Sequence, residues 1–514
     1  RERLTLDSAD GKPRSHEDTK STWLLASATL TLWAHHSTHL HPAPSQRRPD
    51  VVSEWMPDPW SELESAGADF GDQRLSARMS RLLSGVGQRP SASIPGALSG
   101  WAEIQAAYRF FANAKVTMPA ILAPHRRATV ERMGEHPVVL GIQDTTFINY
   151  PGQRATTGLG PHSSEKEHGL LLHELLAVTP ERLCLGTLNA EIWARDAALG
   201  KRATRTKRPI EEKESMRWLR AYEALASLKV SLPNTRLVCV GDRESDIYEF
   251  IAAARPAEAD WLIRAVRDRI TDDGHRLRER LADRPALGRL TIDVPKSAVR
   301  AAHQALLEVR VERLTLEPPW RPDRKLSPVM VTVMLVHEPT PPEGSEPIDW
   351  LLLSSLPQPS TLDEASVIIS WYACRWQIEV FFRVLKGGCT VEQLQLQTRA
   401  RLEAAIAIYL IVAWRVLFLV MLGRQCPDLP CTAIFDQDEW RTVFLVTQQK
   451  PPPAKPPTLQ HLICLVAVLG GYTNRPSDSP PGPKTIWIGL QRARDLTQGM
   501  LLGRQLERLG QEDV

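Results

Sequence analysis

Three carboxylates stand where a folded chain could hold them rigidly. Asp144 closes the apolar run VVLGIQ (138–143), Asp242 closes LVCVG (237–241), and Glu379 lies inside YACRWQIEVFFRVLK (372–386). Hard oxygen ligands from two strand ends and one helix could converge on a divalent ion such as Mg2+, which keeps positions open for water and phosphate. Two such ions, about 4 Å apart, would activate a nucleophile and stabilise a leaving oxygen in phosphoryl transfer. Each carboxylate also has a plainer reading. A strand-end Asp often serves a turn, and Asp246 in GDRESD could cap the helix that follows.

The stretch around Glu379 narrows the chemistry. Read as one helix at about 100° per residue, it places Tyr372, Arg375, Trp376, Glu379, Arg383 and Lys386 on one arc. Trp371, Cys374, Ile378, Phe381 and Leu385 fall on the opposite side, as an ordinary core face does. Charges alone would read as a solvated face, with Glu379 bridging Arg375 and Arg383 at i±4. Two large rings on the same arc point elsewhere, to phosphates paired with cations and unstacked bases laid on aromatic faces.

Bulk composition leaves room for this and excludes other classes. A chain of 514 residues, 43% hydrophobic and 24% charged, fits a soluble multidomain protein. Its formal net charge of +3 means that affinity for a polyanion must come from local patches. Seven scattered cysteines, an odd count without paired spacing, fit a reducing compartment. Cys426, Cys431, His461 and Cys464 only loosely resemble a zinc set, given the Pro-rich gap among them. The segment 404–422 is apolar enough to suggest a membrane span, but Arg415 lies inside it and no second span follows, so a buried core helix is expected. Residues 21–34 resemble a weak signal-peptide core but follow acidic and polar residues.

The elements that must position these groups can be read in order. From Trp55 to about His125 the pattern is helical, with Arg74, Arg78, Arg81 and Arg109 suggesting a basic face. From Pro137 come three strands, a basic loop KRATRTKR (201–208), a helix over about 211–228, a strand ending at Asp242, a further helix and a fifth strand. That is a mixed α/β layer pattern. Residues 270 to about 365 read as further strands with Pro-rich joints, followed by the helix of Glu379 and the long apolar helix. PPPAKPP (451–457) reads as a stiff linker. A helical segment with a Gly-Gly break, a Pro-rich loop and a tail close the chain.

IQDTTF, VGDRESDIYEF and the spacing Y-x2-R-x3-E-x6-K, together with GDQRLSAR, AAYRFFAN, WLLLSSLP and LGGY, resemble the bacterial cut-and-paste DDE transposases of the insertion-sequence-four family, over about 60–495. The resemblance implies an RNase H-like core, a mixed sheet flanked by helices, interrupted by a β-rich insertion. It implies Asp144, Asp242 and Glu379 as the catalytic, metal-binding triad with Mg2+ (Mn2+ as a substitute). It implies DNA contacts by Tyr372, Arg375, Trp376, Arg383, Lys386 and Trp350, the last matching an aromatic that captures a flipped base. Arg383 stands where the family has Lys, and Phe382 where it has His.

The implied organisation begins with a disordered or non-native leader (1–52) and a helical DNA-binding domain (53–125). The RNase H-like core follows in two segments, 126–269 and 366–425, on either side of the β-rich insertion (270–365). A C-terminal helical region for dimerisation (426–514) completes it. Leu459 to Tyr472 is the expected dimer contact. The expected partners are double-stranded DNA, as terminal inverted repeats and target, and a second copy of the chain, with no membrane. The implied location is the cytoplasm, at the nucleoid. An RNase H-like nuclease without strand transfer, and a decayed copy that binds ends and inhibits, are the alternative readings.

Overall fold

The computed structural model describes residues 59–512 apart from 99, 154, 163–166, 196–212, 295–301 and 322–324. The expected leader, the weak signal-like segment and the basic loop 201–208 therefore lie outside the described residues. The chain begins with α1 (Pro59–Ser65), α2 (Gln73–Gln88), α3 (Trp101–Phe111) and α4 (Met118–Gly134). Asp72 caps α2 by accepting from the Arg74 N–H at 2.9 Å. Of the expected basic face, Arg78 and Arg81 share Glu103, whereas Arg74 and Arg109 stay exposed. The expected boundary at 125 runs through the middle of α4.

The core sheet follows: β1 (Val138–Asn149), a short β2 (Gly160–Pro161), β3 (His168–Val178), β4 (Cys184–Trp193), α5 (Met216–Ala226), β5 (Arg236–Gly241), α6 (Tyr248–Ala253) and β6 (Asp260–Arg264). The order β4-β3-β1-β5-β6 joins three antiparallel strands to two parallel ones. The run of strand, helix and strand expected from the sequence is present, and β2 was not foreseen. A two-residue strand leaves no periodicity to read.

After α7 (Leu277–Ala282), the strands β7 (Gly288–Val294), β8 (His303–Leu316), β9 (Val329–His337) and β10 (Asp349–Ser354) appear where strands were expected. They extend the core sheet: β10 pairs antiparallel with β6, and β9, β8 and β7 follow outward, giving one ten-stranded sheet. The seam is tight. Ala265 N donates to Leu351 O at 2.7 Å and Ser354 Oγ to Trp261 O at 2.7 Å.

The remaining elements are α8 (Leu362–Ala373), α9 (Trp376–Arg383), α10 (Arg399–Gln425), α11 (Gln437–Gln448), α12 (Leu459–Leu469) and α13 (Pro483–Glu512). Among the described residues α10 alone is long and apolar enough to cross a membrane, and 94% of its apolar window is buried within the chain. Trp414 on α10 donates to Cys184 O of β4 at 2.9 Å. The closing tail forms the 30-residue helix α13. Within the expected dimer contact, Leu459, Leu462, Leu465 and Val466 of α12 are buried against elements of their own chain, whereas His461 and Gly471 are exposed.

The single helix expected over 372–386 is also corrected. Bonds from Arg375 N to Tyr372 O, Gln377 N to Cys374 O and Ile378 N to Arg375 O are i→i−3, so the chain tightens between α8 and α9. Residues Val384–Gly388 then widen into a π turn. A tight turn advances about 120° per residue and a wide one less than 100°, so a fixed-angle wheel misplaces side chains on both sides of the break.

Candidate active site

Register brings the first two carboxylates level. β1 and β5 are parallel with Ile142 opposite Val240, so two residues further Asp144 stands beside Asp242. Neighbouring strands lie about 4.8 Å apart. Both carboxylates are tied to local backbone: Thr145 N donates to Asp144 Oδ1 at 2.7 Å, and Glu244 N to Asp242 Oδ1 at 2.8 Å. Glu379 arrives from α9, which packs across β1 because Ile378 and Phe381 on its other side are fully buried.

Arg375 joins the set. The residue is 7% exposed, and its guanidinium lies 3.4 Å from Asp144 Oδ2 and 3.1 Å from Glu379 Oε1 and covers the Trp376 ring at 4.5 Å. Burial pushes Asp144 up to about 7, the nearby Asp242 and Glu379 charges add to this, and Arg375 opposes it. The donor set is hard oxygen with mutual repulsion that a dication would relieve, so its chemistry fits a divalent ion. As placed, no three His, Cys, Asp or Glu side chains among the described residues share one ion position. Arg375 stands between two of the carboxylates.

Of the residues expected to face DNA, few lie at the surface. Tyr372 is 3% and Trp350 2% exposed, their rings edge to face at 5.3 Å. Arg375 is buried, Trp376 is half-buried, and Arg383 is exposed. Lys386 is half-buried and donates to Phe147 O at 2.5 Å, with Glu392 3.9 Å away. A wall presenting all six is therefore corrected. The break at Arg375 turns Tyr372 into the core, and β10 is a central strand, so the Trp350 ring falls between layers.

Asp246 does not cap α6. Its side chain accepts from Val266 N and Arg267 N, both at 2.9 Å, and pairs with Arg269, tying the loop after β5 to the loop after β6. Sequence reasoning also missed Glu174. It pairs in register with Asp144 across β1 and β3, is fully buried, and has no hydrogen bond to either oxygen. Burial drives its pKa well up, with the Thr187 side chain opposing. The lone Glu in LLLHELLAV was its signal.

With this geometry in place, the comparisons fall into line along the chain. Residues 57–116 match the family model described as transposase DNA-binding, 219–415 the transposase DDE domain, and 411–510 the transposase Tn5 dimerisation domain. The DDE match begins after Asp144, which is placed by register alone. A solved structure, the cryo-EM structure of piggyBac transposase synaptic complex with hairpin DNA, aligns over 83% of each chain at 9% identity with a TM-score of 0.29.

Proposed function

Because this chain is a Tn5-like DDE transposase that binds DNA and dimerises, we propose that Asp144, Asp242 and Glu379 are its catalytic triad and that it cuts at terminal inverted repeats and joins the freed ends to target DNA. The observation that supports this is the level pairing of Asp144 with Asp242, with Glu379 brought to the same place through Arg375.

The three carboxylates would hold Mg2+, with Mn2+ as a substitute. When bound, the metal would polarise the phosphate and activate a water or 3′-hydroxyl. Around it, Arg375, Arg383 and Lys386 would hold phosphate oxygens of the strand being cut. Arg375 would leave its carboxylates to do so. Trp376, stacked under that guanidinium, would follow it toward the DNA. Cleavage of the second strand would pass through a hairpin, resolved by the same carboxylates. The dimer contact shifts from α12 to α13, whose Leu501, Leu502 and Leu506 are 40%, 60% and 69% exposed.

The test supplies the purified chain with Mg2+ and a duplex carrying the inverted repeats that flank its coding sequence. The expected products are a nick with a free 3′-hydroxyl, a hairpin and a joined strand. Each should be absent from Asp144→Ala, Asp242→Ala and Glu379→Ala, with end binding retained. A nick without joining would leave a nuclease only, and cleavage by any of the three variants would remove that residue from the triad.

A further inference from the structure

We infer that Trp320, Lys325 and the turn after β6 form a second DNA contact beside the triad, in which Trp320 stacks on an unpaired base and Arg267 and Lys325 hold phosphates; the inference rests on the transposase reading.

Topology places this surface. β5 and β6 are parallel neighbours, so the turn after β6 emerges at the same sheet edge as Asp242. Asp246 fastens the two loops together through the N–H groups of Val266 and Arg267. Glu317, Arg321 and Ser327, which follow β8, are fastened to the same place. Glu317 N donates to Ile270 O at 2.9 Å, the Tyr248 hydroxyl donates to Ser327 O at 2.8 Å, and Arg321 Nε donates to Glu249 Oε1 at 2.6 Å. Tyr248 and Glu249 open α6, six and seven residues beyond Asp242.

What this mount presents is unusual for a surface. Trp320, after Pro318 and Pro319, is 83% exposed, and Val266 and Ile270 nearby are 61% and 47% exposed. Burying a large ring is favourable, and here the chain holds one out in water between two prolines and the hydrogen-bonded Arg321. Arg267 and Lys325 are exposed, and neither has an ion pair among the described residues. Exposed ring plus unpaired cations is the combination that single-stranded DNA selects: stacking for the base, charge for the backbone. Its continuity with the Asp242 edge favours DNA over a second copy of the chain. The buried Trp350 ring cannot stack on a base without opening the sheet, whereas Trp320 is already presented.

The test uses the full chain, a blunt 30-base-pair duplex and a forked duplex with a ten-thymine arm, with binding read by fluorescence anisotropy at several salt concentrations. Trp320→Ala is expected to weaken the forked probe by about 5- to 100-fold and the blunt probe by less than about twofold. Trp320→Phe should keep most of the affinity. Arg267→Ala with Lys325→Ala should weaken the forked probe and lower its salt slope by about 1 to 2. Equal forked-probe binding by wild type and Trp320→Ala would overturn the inference while leaving the transposase reading intact. So would a fall in light-scattering mass on Trp320→Ala in the absence of DNA, which would make the patch a contact between copies. A wild-type chain that binds neither probe would overturn both readings.

Discussion

Asp144 is where the residue scale is most informative. An ordinary Asp titrates near 3.8, and burial beside Asp242 and Glu379 pushes this one up to about 7. A group whose folded pKa is raised binds its proton more tightly folded than unfolded. Its stabilising contribution is therefore complete below about pH 4 and is lost as pH rises toward 7. Without divalent metal, the wild type should lose of order 1–4 kcal/mol from this group between pH 4 and 8. Urea unfolding of wild type and Asp144→Asn in EDTA across that range checks it: the two should be closest near pH 4, and the wild type should fall progressively below Asp144→Asn as pH rises toward 8. A difference independent of pH would mean that Asp144 is ionised throughout. The three carboxylates were legible because strand ends and a charged helix leave marks in sequence. The burial of Tyr372 and Trp350 was not, since apolar runs look alike whether they pack or bind, and the fixed-angle wheel could not register the tight turn at Arg375.

At the scale of elements, the C-terminal helices divide the work differently from what hydrophobicity alone suggests. α12 is the more apolar, and its Leu459, Leu462 and Leu465 are buried in their own chain. α13 carries exposed leucines on a long helix that reads in sequence as a tail. Its composition is mixed, and a Pro-rich loop before it masked the helical period. Leu502→Asp with Leu506→Asp should therefore reduce the two-chain DNA complex to one chain in light scattering, with little change in melting temperature. Leu462→Asp should instead destabilise the chain by about 3 kcal/mol or more, through a buried charge without a partner. The reverse pattern would restore α12 as the contact.

Across the whole molecule, the helical N-terminal segment is wired into the catalytic core. Glu64 on α1 accepts from His125 Nδ1 at 2.5 Å and from Arg132 at 2.7 Å, both on α4. His125 Nε2 accepts from Thr187 N of β4 at 3.0 Å, and Arg132 Nε donates to Leu185 O at 2.8 Å while its guanidinium covers Trp414 of α10. Burial pushes Glu64 up, but Arg132 and His125 prevail and hold it at about 2. That stabilisation is present above about pH 4.5 and is lost as pH falls toward 2. Glu64→Gln removes the charge that answers a buried Arg132 and should cost about 3–5 kcal/mol. Because the cluster joins helices and sheet, calorimetry should show one transition moving down, with α1–α4 and the sheet unfolding together. A separate early transition would show them to be independent. No sequence period marks this cluster. Three polar residues, separated by 61 and 7 positions, meet only after α4 has packed on β4.

The seam between β6 and β10 also has a mechanical meaning. Strands paired edge to edge cannot swing apart without breaking backbone hydrogen bonds in sequence, so the outer four strands behave as an outrigger and not as a door. Whatever widens to receive a duplex, the separation between Asp242 and the loop after β8 is held like the jaws of a fixed-gap gauge. In the DNA contact inferred at Trp320, that fixed gap would set the distance along a bound strand, with the sheet as its ruler.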